Sequence, residues 1–127
     1  MLRTKQTVQS DRAPKPAGPY SQGIVAEGFV FVAGQLGTDP KTGKTQEGIA
    51  EQTRQCLNNV KAVLEASGVT LDDVVRVGVY LKDIEDYEEM NNEYKTFFQQ
   101  FPPARTTIQA ILPRDCLVEI DAVAMKP

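Results

Sequence analysis

Two stretches of the sequence place apolar side chains at the three- and four-residue spacing of an amphipathic helix. The first runs from Ile49 to Leu64, and Gly68 follows where a helix C-terminus is expected. The second follows Asp83, a candidate N-cap, and cannot continue through Pro102. Its predicted inner stripe consists of Tyr87, Met90, Asn91, Tyr94, Phe97 and Phe98.

Shorter segments rich in apolar and β-branched residues are typical of β-strands. They are Gln22 to Ala26, Phe29 to Ala33, Val74 to Leu81, Arg105 to Leu112 and Leu117 to Met125. Glu27-Gly28 fits a two-residue hairpin turn, and Lys5 to Gln9 is a candidate for one more strand. The order β-β-α-β-α-β-β predicts an α+β fold, with both helices on one face of a mixed sheet.

This arrangement leaves the other face of the sheet without helices. On the last strand, the set that alternates with the apolar core positions is Leu117, Glu119, Asp121 and Val123, which mixes aliphatic and acidic side chains. The preceding strand carries a similarly mixed set, Arg105, Thr107, Gln109 and Ile111. We expect these sets to face a subunit interface rather than bulk solvent, because they include aliphatic side chains.

The length of 127 residues predicts one domain over residues 1–127. Its apolar runs are far shorter than the roughly 20 residues needed to span a bilayer, so we expect no membrane association. The spacing of Cys56 and Cys116 suggests neither a disulfide framework nor a zinc site. A cytoplasmic location is therefore expected, with a transit peptide at the basic start, Met1 to Lys5, as the alternative.

The chain contains no histidine, which changes the range of possible chemistry. Serine-histidine and cysteine-histidine nucleophiles, histidine-ligated metals and histidine acid–base pairs are all excluded. The net charge of −3 argues against a polyanion as the partner, so no nucleic-acid binding is expected. Any catalysis must use carboxylates, Arg, Lys, Tyr, backbone amides and water.

Several short strings combine such residues with Gly and Pro. They are Ala17 to Gly23, Val32 to Gly43, Phe101 to Thr107, Leu112-Pro113 and Val118 to Ala122. In these strings and in their order, the chain resembles the reactive intermediate deaminase (Rid, or YjgF-like) family, from about Ala13 to Ala124. Several strings in one order are far more specific than any single motif.

The resemblance implies a chorismate-mutase-like fold and a homotrimer, in which the sheets surround a barrel-like interior and clefts between subunits bind small 2-keto or 2-imino acids. It implies hydrolytic deamination of 2-imino and 2-enamino acids, such as 2-iminopropanoate and 2-iminobutanoate, with no metal or other cofactor. By position, Arg105 matches the arginine that binds the substrate carboxylate, and Glu119 matches the carboxylate associated with the attacking water. Gly34 matches a glycine whose amide assists, Tyr20 a cleft tyrosine, and Asn91 a polar helix residue near the site.

The chemistry of these residue types agrees with the resemblance. A guanidinium group such as that of Arg105 binds a carboxylate bidentately, which orients the substrate. An imine already reacts with water, so the protein has to hold it, favour the iminium form and position one water molecule. Glu119 can order that water and relay a proton. A raised pKa in a shielded cleft would suit this role, although Arg105 would oppose the shift.

Each residue also has a purely structural explanation. Taken alone, Arg105 and Glu119 would more often form surface or interface salt bridges, Tyr20 could anchor a loop, and Gly34 could serve backbone geometry. Ala33 and Thr107 are further candidate binding positions at which the chain departs from the family. Many members have serine at the first position, and many deaminases have cysteine at the second. These departures leave the reaction class in place and bear on substrate preference.

Two other functions remain open. A carrier or sensor of 2-keto acids could use the same cleft without catalysis, although it would not need Glu119. A ribonuclease or translation-inhibitor role, described for some relatives, is disfavoured by the missing histidine and by the absence of a basic or aromatic stripe.

Overall fold

A computed structural model describes residues 4–127 of the chain. Met1 to Arg3, the start of the basic N-terminal segment, lie outside the described residues. The strands are β1 Gln6–Val8, β2 Gly23–Ala26, β3 Phe29–Leu36, β4 Val74–Leu81, β5 Ala104–Gln109 and β6 Val118–Met125. The α-helices are α1 Ile49–Ala66 and α2 Tyr87–Tyr94. The predicted element order is therefore confirmed, including the additional N-terminal strand.

The strands form one six-stranded mixed sheet in the order β1-β2-β3-β6-β4-β5. Neighbouring strands pair antiparallel except for β4 and β5, which are parallel and connected through α2. Glu27 and Gly28 form the β2–β3 turn with φ of 51° and 80°, the left-handed conformations that a tight hairpin turn requires. The α+β mixed sheet is as the sequence predicts.

Both helices pack on the same face of the sheet and bury the core there. Leu57, Leu64 and Val60 of α1 and Met90 of α2 are almost completely buried, together with Val77 and Val79 of β4 and Ile120 of β6. At about 25 cal/mol per Å² of buried apolar surface, this layer is the main source of stability. The opposite face carries no helix among the described residues and exposes Phe29, Phe31, Ile108 and Met125.

The second helix begins later and ends earlier than the sequence predicts. Asp83 is an N-cap, but of a single 3₁₀ turn, Ile84–Asp86, and not of the α-helix. Its carboxylate accepts a 2.9 Å hydrogen bond from the Glu85 amide. The α-helix then covers Tyr87–Tyr94, Phe97 lies in the turn that follows, and Phe98 comes directly after that turn. Phe98 nevertheless reaches the core, whereas Tyr87 is 40% exposed and faces Arg105 instead.

Gln22 fixes the proline-rich loop that precedes β2. Its buried amide accepts a 2.6 Å hydrogen bond from the Ser10 backbone and donates to the carbonyl oxygens of Ser10, Ala13 and Pro14. The loop from residue 10 to residue 14 has little regular structure of its own, so these bonds replace a strand ladder. Gln22 thereby determines where the following residues, Lys15 to Tyr20, leave the core.

We expect Gln22→Ala to lower the free energy of unfolding by about 1–3 kcal/mol, because it leaves several buried backbone groups unpaired. The measurement is chemical denaturation followed by circular dichroism. Gln99→Ala is the matched control, since the exposed amide of Gln99 makes one local hydrogen bond to the Thr96 carbonyl. Equal stabilities of the two variants would contradict the role assigned to Gln22.

Candidate functional site

Arg105 lies on β5 and points to the helix-covered side of the sheet, because its register partner on β4 is the fully buried Val77. Its guanidinium carbon is 4.6 Å from the ring centroid of Tyr94 and 5.6 Å from that of Tyr87. Its Nη2 donates a 3.2 Å hydrogen bond to the Tyr87 hydroxyl. Two aromatic rings therefore hold the guanidinium group in place.

The charge of Arg105 has no acidic partner within residues 4–127. A guanidinium group held by aromatic rings keeps several N–H donors free, and their planar arrangement matches a carboxylate. The geometry therefore leaves Arg105 able to bind the carboxylate of a small molecule.

Three buried polar atoms near Arg105 have no hydrogen-bond partner in the described part of the chain: Asn91 Oδ1, Tyr94 Oη and Thr107 Oγ1. Asn91 lies between Tyr87 and Tyr94 on the α2 stripe, and Thr107 is two residues beyond Arg105 on the same face of β5. Since buried polar groups are normally paired, these atoms mark a place for a polar ligand or ordered water. We call Tyr87, Asn91, Tyr94, Arg105 and Thr107 the arginine cluster.

Tyr94 is the buried hydroxyl of the arginine cluster. Burial raises the pKa of Tyr94, and the neighbouring positive charge of Arg105 partly opposes that shift. The hydroxyl therefore stays protonated at neutral pH and can donate a hydrogen bond to a bound anion. The sequence predicted Tyr94 only as a packing residue and missed its place in the candidate site. The signal that could have found it is the spacing of Tyr87, Asn91 and Tyr94 at i, i+4 and i+7, which sets the three side chains on one helix face.

Glu119 lies on β6 and points to the uncovered face, opposite Leu36 of β3 and Tyr80 of β4. It lines a cavity of about 320 Å³ together with Tyr20, Ala33, Gly34, Leu36 and Pro113. Burial raises the pKa of Glu119, and the charge of Asp121 raises it further. Asp121 is held in place because its carboxylate accepts hydrogen bonds from the Gly78 amide, at 3.0 Å, and the Tyr80 hydroxyl, at 2.9 Å.

A β-bulge shapes the wall of this cavity. Val32 pairs with Ala122 and Gln35 with Ile120, so Ala33 and Gly34 together occupy the space opposite one residue of β6. Bulges of this kind redirect backbone groups and are frequent beside active sites. A Cβ at Gly34 would come 2.9 Å from the Glu119 carboxyl carbon and overlap one of its oxygens. The bulge therefore brings bare backbone against the Glu119 carboxylate.

Tyr20 stands at the rim of the same cavity with half of its surface exposed. Its hydroxyl accepts a 3.2 Å hydrogen bond from the Ala17 amide, which folds the side chain over its own loop. We call Tyr20, Ala33, Gly34 and Glu119 the glutamate cluster.

For the imine hydrolysis that the resemblance implies, we expect Gly34→Ala to reduce kcat strongly while the protein stays folded, because the added methyl group displaces the Glu119 carboxylate. A thermal melt establishes folding. A double-mutant cycle with Glu119→Gln isolates the cause. If Gly34→Ala costs as much on the Glu119→Gln background as on the wild type, the methyl group acts by another route.

The sheet separates the two clusters. The expectation that Arg105 and Thr107 share the uncovered face with Glu119 is wrong: β5 pairs in parallel with β4 in a register that sets Arg105 beside Val77 and Thr107 beside Val79, on the helix side. Strand β4 also lies between β5 and β6. One copy of the chain therefore does not present Arg105 and Glu119 to the same small molecule.

Residues 4–127 hold no group of three or more cysteine, aspartate and glutamate side chains placed to bind a metal ion. The same residues include no helix that is both long and apolar enough to cross a membrane. Cys56 and Cys116 are free and buried, and burial raises the pKa of both thiols.

The protein-family model described as Endoribonuclease L-PSP, which represents the YjgF/RutC proteins, matches residues 10–126. The chain belongs to the YjgF/RutC family. A RutC family protein of Pyrococcus horikoshii is 50% identical over 124 residues, which cover 96% of this chain and 98% of the relative. A protein of Salmonella typhimurium named 2-iminobutanoate/2-iminopropanoate deaminase is 39% identical over 125 residues, covering 95% and 98% of the two chains.

Solved structures of the YjgF/RutC family agree with the fold. The YjgF gene product of Escherichia coli superposes with a TM-score of 0.92 at 37% identity, covering 96% of this chain and 99% of that one. TdcF of Escherichia coli, solved with bound serine, superposes with a TM-score of 0.93 at 35% identity and the same coverage. The expected chorismate-mutase-like α+β fold is therefore confirmed.

Proposed function

We propose that this protein hydrolyses 2-imino and 2-enamino acids, such as 2-iminopropanoate and 2-iminobutanoate, to 2-keto acids and ammonia. The observation that carries the proposal is the pair of complementary clusters. One holds a guanidinium group without an acidic partner among residues 4–127, and the other places a carboxylate of raised pKa in a cavity. A carboxylate-bearing electrophile that reacts with water requires these two functions.

The chemistry follows from the residues present. Arg105 binds the substrate carboxylate, with Asn91, Tyr94 and Thr107 as hydrogen-bonding neighbours. Water adds to the iminium carbon while Glu119 accepts one of its protons and returns it to the nitrogen of the carbinolamine. The carbinolamine then collapses, and its hydroxyl proton passes to Glu119 and from there to solvent. The C–N bond breaks, ammonia leaves and the keto acid remains. No cofactor is required, because the imine carbon is itself the electrophile.

We place the complete site between two copies of the chain in a homotrimer. Joining an arginine cluster to the glutamate cluster of a neighbour would put both functions in one cleft. The exposed aromatic and aliphatic side chains on the uncovered face, Phe29, Phe31, Ile108 and Met125, support an interface there. Tyr20, Ala33 and Gly34 then line the cleft from the side of Glu119. Cys56 and Cys116, both free, suit a cytoplasmic location.

The names of relatives support the same reaction. Two proteins at 39% and 38% identity, from Salmonella typhimurium and Escherichia coli, carry the name 2-iminobutanoate/2-iminopropanoate deaminase. The serine bound to TdcF is a small molecule with the carboxylate and the 2-nitrogen of such a substrate. The family description also contains the word endoribonuclease, but the acidic side chains Glu119 and Asp121 on the uncovered face do not favour RNA.

The direct test measures the release of 2-keto acid and ammonia from 2-iminobutanoate generated in situ by an amino-acid oxidase. We expect the wild-type protein to accelerate hydrolysis well above the buffer rate. A folded protein that gives only the buffer rate, yet binds 2-oxobutanoate in calorimetry, would replace the enzyme with a 2-keto acid sensor.

A second test addresses the composite site. Arg105→Ala and Glu119→Gln proteins are each expected to retain only about 1% of the wild-type activity or less, but subunits unfolded together and refolded as a mixture regain activity. An interface that combines the intact Arg105 of one variant with the intact Glu119 of the other is complete. Random assembly of equal amounts gives about one quarter of the wild-type activity. Separately refolded and then combined proteins serve as the control, and no recovery in the mixture would place the site within one subunit.

A further inference from the structure

A second cavity adjoins the one that Glu119 lines. It also has a volume of about 320 Å³, and the two share Tyr20, Gly34, Leu36 and Pro113 in their walls. Of these two cavities, Glu119 lines the first and not the second, whereas Lys15 and Arg114 line the second and not the first. A molecule whose reacting carbon lies near Glu119 can therefore extend its other end toward these two cations.

The side chains that line the second cavity carry positive charge. Its lining contains Lys15 and Arg114 but no aspartate or glutamate. Neither cation forms an ion pair with an acidic group from residue 4 to residue 127. Lys15 and Arg114 also line a third cavity, and the lining of that cavity includes Asp11 and Asp39. One carboxylate oxygen of Asp39 already accepts a 2.8 Å hydrogen bond from the Lys41 amide.

Thr38 adds an independent sign of a ligand. Thr38 lines the second cavity and is only 6% exposed. Its Oγ1 nevertheless has no hydrogen-bond partner among the described residues. An unpaired buried hydroxyl is destabilising, and a hydrogen-bonding ligand would remove that cost. The hydroxyl can donate to an anionic oxygen, as Lys15 and Arg114 can.

The backbone around the two cations is fixed. Arg114 has φ of 56°, a left-handed conformation that is strained for a residue other than glycine, and such strain often marks functional sites. Lys15 directly follows Pro14, whose carbonyl oxygen accepts a 2.8 Å hydrogen bond from the buried Gln22 amide. The remaining walls are largely apolar, with Pro14, Ala17, Pro19, Leu36 and Pro113. A fitting ligand has an apolar stem and an anionic end.

We propose that this second cavity receives the side chain of the substrate and selects 2-imino acids whose side chain ends in a carboxylate. The inference rests on the proposed function, because it takes the imine carbon to react near Glu119. Arg105 of a neighbouring copy binds the carboxylate next to the imine, and Lys15, Arg114 and Thr38 bind the distal one. The five-carbon dicarboxylic imine, 2-iminoglutarate, has the stem and the charge that the cavity accommodates.

The test compares kcat/KM for 2-iminoglutarate and 2-iminobutanoate, both generated in situ, in the wild type and in the double variant Lys15→Gln/Arg114→Gln. We expect the wild type to favour the dicarboxylic imine by about 10-fold or more, the worth of one or two charge-assisted hydrogen bonds. The variant loses that preference while its activity on 2-iminobutanoate stays within about 2-fold. Lys41→Gln/Lys44→Gln, which removes the same net charge from exposed positions that do not line the second cavity, is the matched control.

The outcomes separate the two proposals. If the wild type hydrolyses 2-iminobutanoate but does not favour 2-iminoglutarate, the inference is overturned and the proposed function stands. The same holds if the double variant and the control pair change the preference by the same factor. If neither imine is hydrolysed faster than in buffer, the proposed function fails. Calorimetry then decides the inference. It is supported if 2-oxoglutarate binds more tightly than 2-oxobutanoate to the wild type and this difference is lost in the double variant. Equal affinities overturn it.

Discussion

Replacing Arg105 by alanine is expected to lower kcat/KM for 2-iminobutanoate by about 10²- to 10³-fold, which is the usual cost of removing one partner from a shielded charge pair. The physical reason is the carboxylate of the substrate. Without the guanidinium group, this carboxylate loses its counter-ion and the two directed hydrogen bonds that orient the imine. The measurement is steady-state hydrolysis of 2-iminobutanoate, with 2-oxobutanoate binding followed by calorimetry.

Two companion variants separate charge from geometry. Arg105→Lys retains the positive charge but not the planar fork, so its kcat/KM is expected to fall between those of the wild type and the alanine variant. Arg54→Ala removes another guanidinium group on the helix side, one that is already paired with Glu93 on the surface, and is expected to leave activity unchanged. An Arg105→Ala protein that is folded and fully active would refute the assignment.

Replacing Glu119 by glutamine is expected to lower kcat by about 10²- to 10⁴-fold, the range of general acid–base assistance, with 2-oxobutanoate binding retained. Glutamine keeps the shape of the side chain but cannot accept a proton from water. A fall in kcat at constant affinity identifies a group that acts in the transition state rather than in binding. Loss of binding with unchanged kcat would instead make Glu119 a substrate-holding residue.

The pH dependence of kcat is a second test of the role of Glu119. In the proposed mechanism the active form of Glu119 is the carboxylate. Burial, followed by the charge of Asp121, raises the pKa of this group. As pH falls through that raised pKa, Glu119 takes up a proton and kcat declines. The decline therefore occurs above the ordinary pKa range of a glutamate, and we expect Glu119→Gln to abolish it.

Asp121→Asn tests the cause of the raised pKa. Removing the negative charge lowers the pKa of Glu119, so the acidic limb of the kcat profile moves to lower pH. The asparagine side-chain oxygen can still accept the Gly78 amide, which keeps the local backbone bond. A limb that moves to higher pH, or does not move, would show that Asp121 does not act on Glu119 through its charge.

Local sequence determined most of the secondary structure. The helix from Ile49 follows directly from its apolar spacing, and the Glu27-Gly28 turn from the two left-handed residues that it requires. The additional N-terminal strand and the order of elements were also readable, because both depend on short-range periodicity and turn chemistry. The motif strings likewise identified the YjgF/RutC family, because many residues in a set order leave few alternatives.

Tertiary structure alone decided how those elements face one another. The alternation along β5 predicted which of its residues share a face, but not which face of the sheet that is. The parallel register with β4 sets Arg105 on the helix side, and a shift of one residue would have reversed it. Pairing across distant strands also placed Asp121 beside Tyr80 and put the bulge at Ala33 and Gly34 beside Glu119.

The aromatic rings beside Arg105 reach it because α2 packs on the sheet, and the burial of Thr38 is likewise a result of tertiary packing. Composition and spacing describe what each residue can do, and they determined the kinds of chemistry available here. Which residues meet is set by long-range packing, because a strand pattern is the same for either register and either neighbour. The sequence thus determined the elements and the candidate chemistry, and the tertiary structure divided that chemistry into two separated clusters.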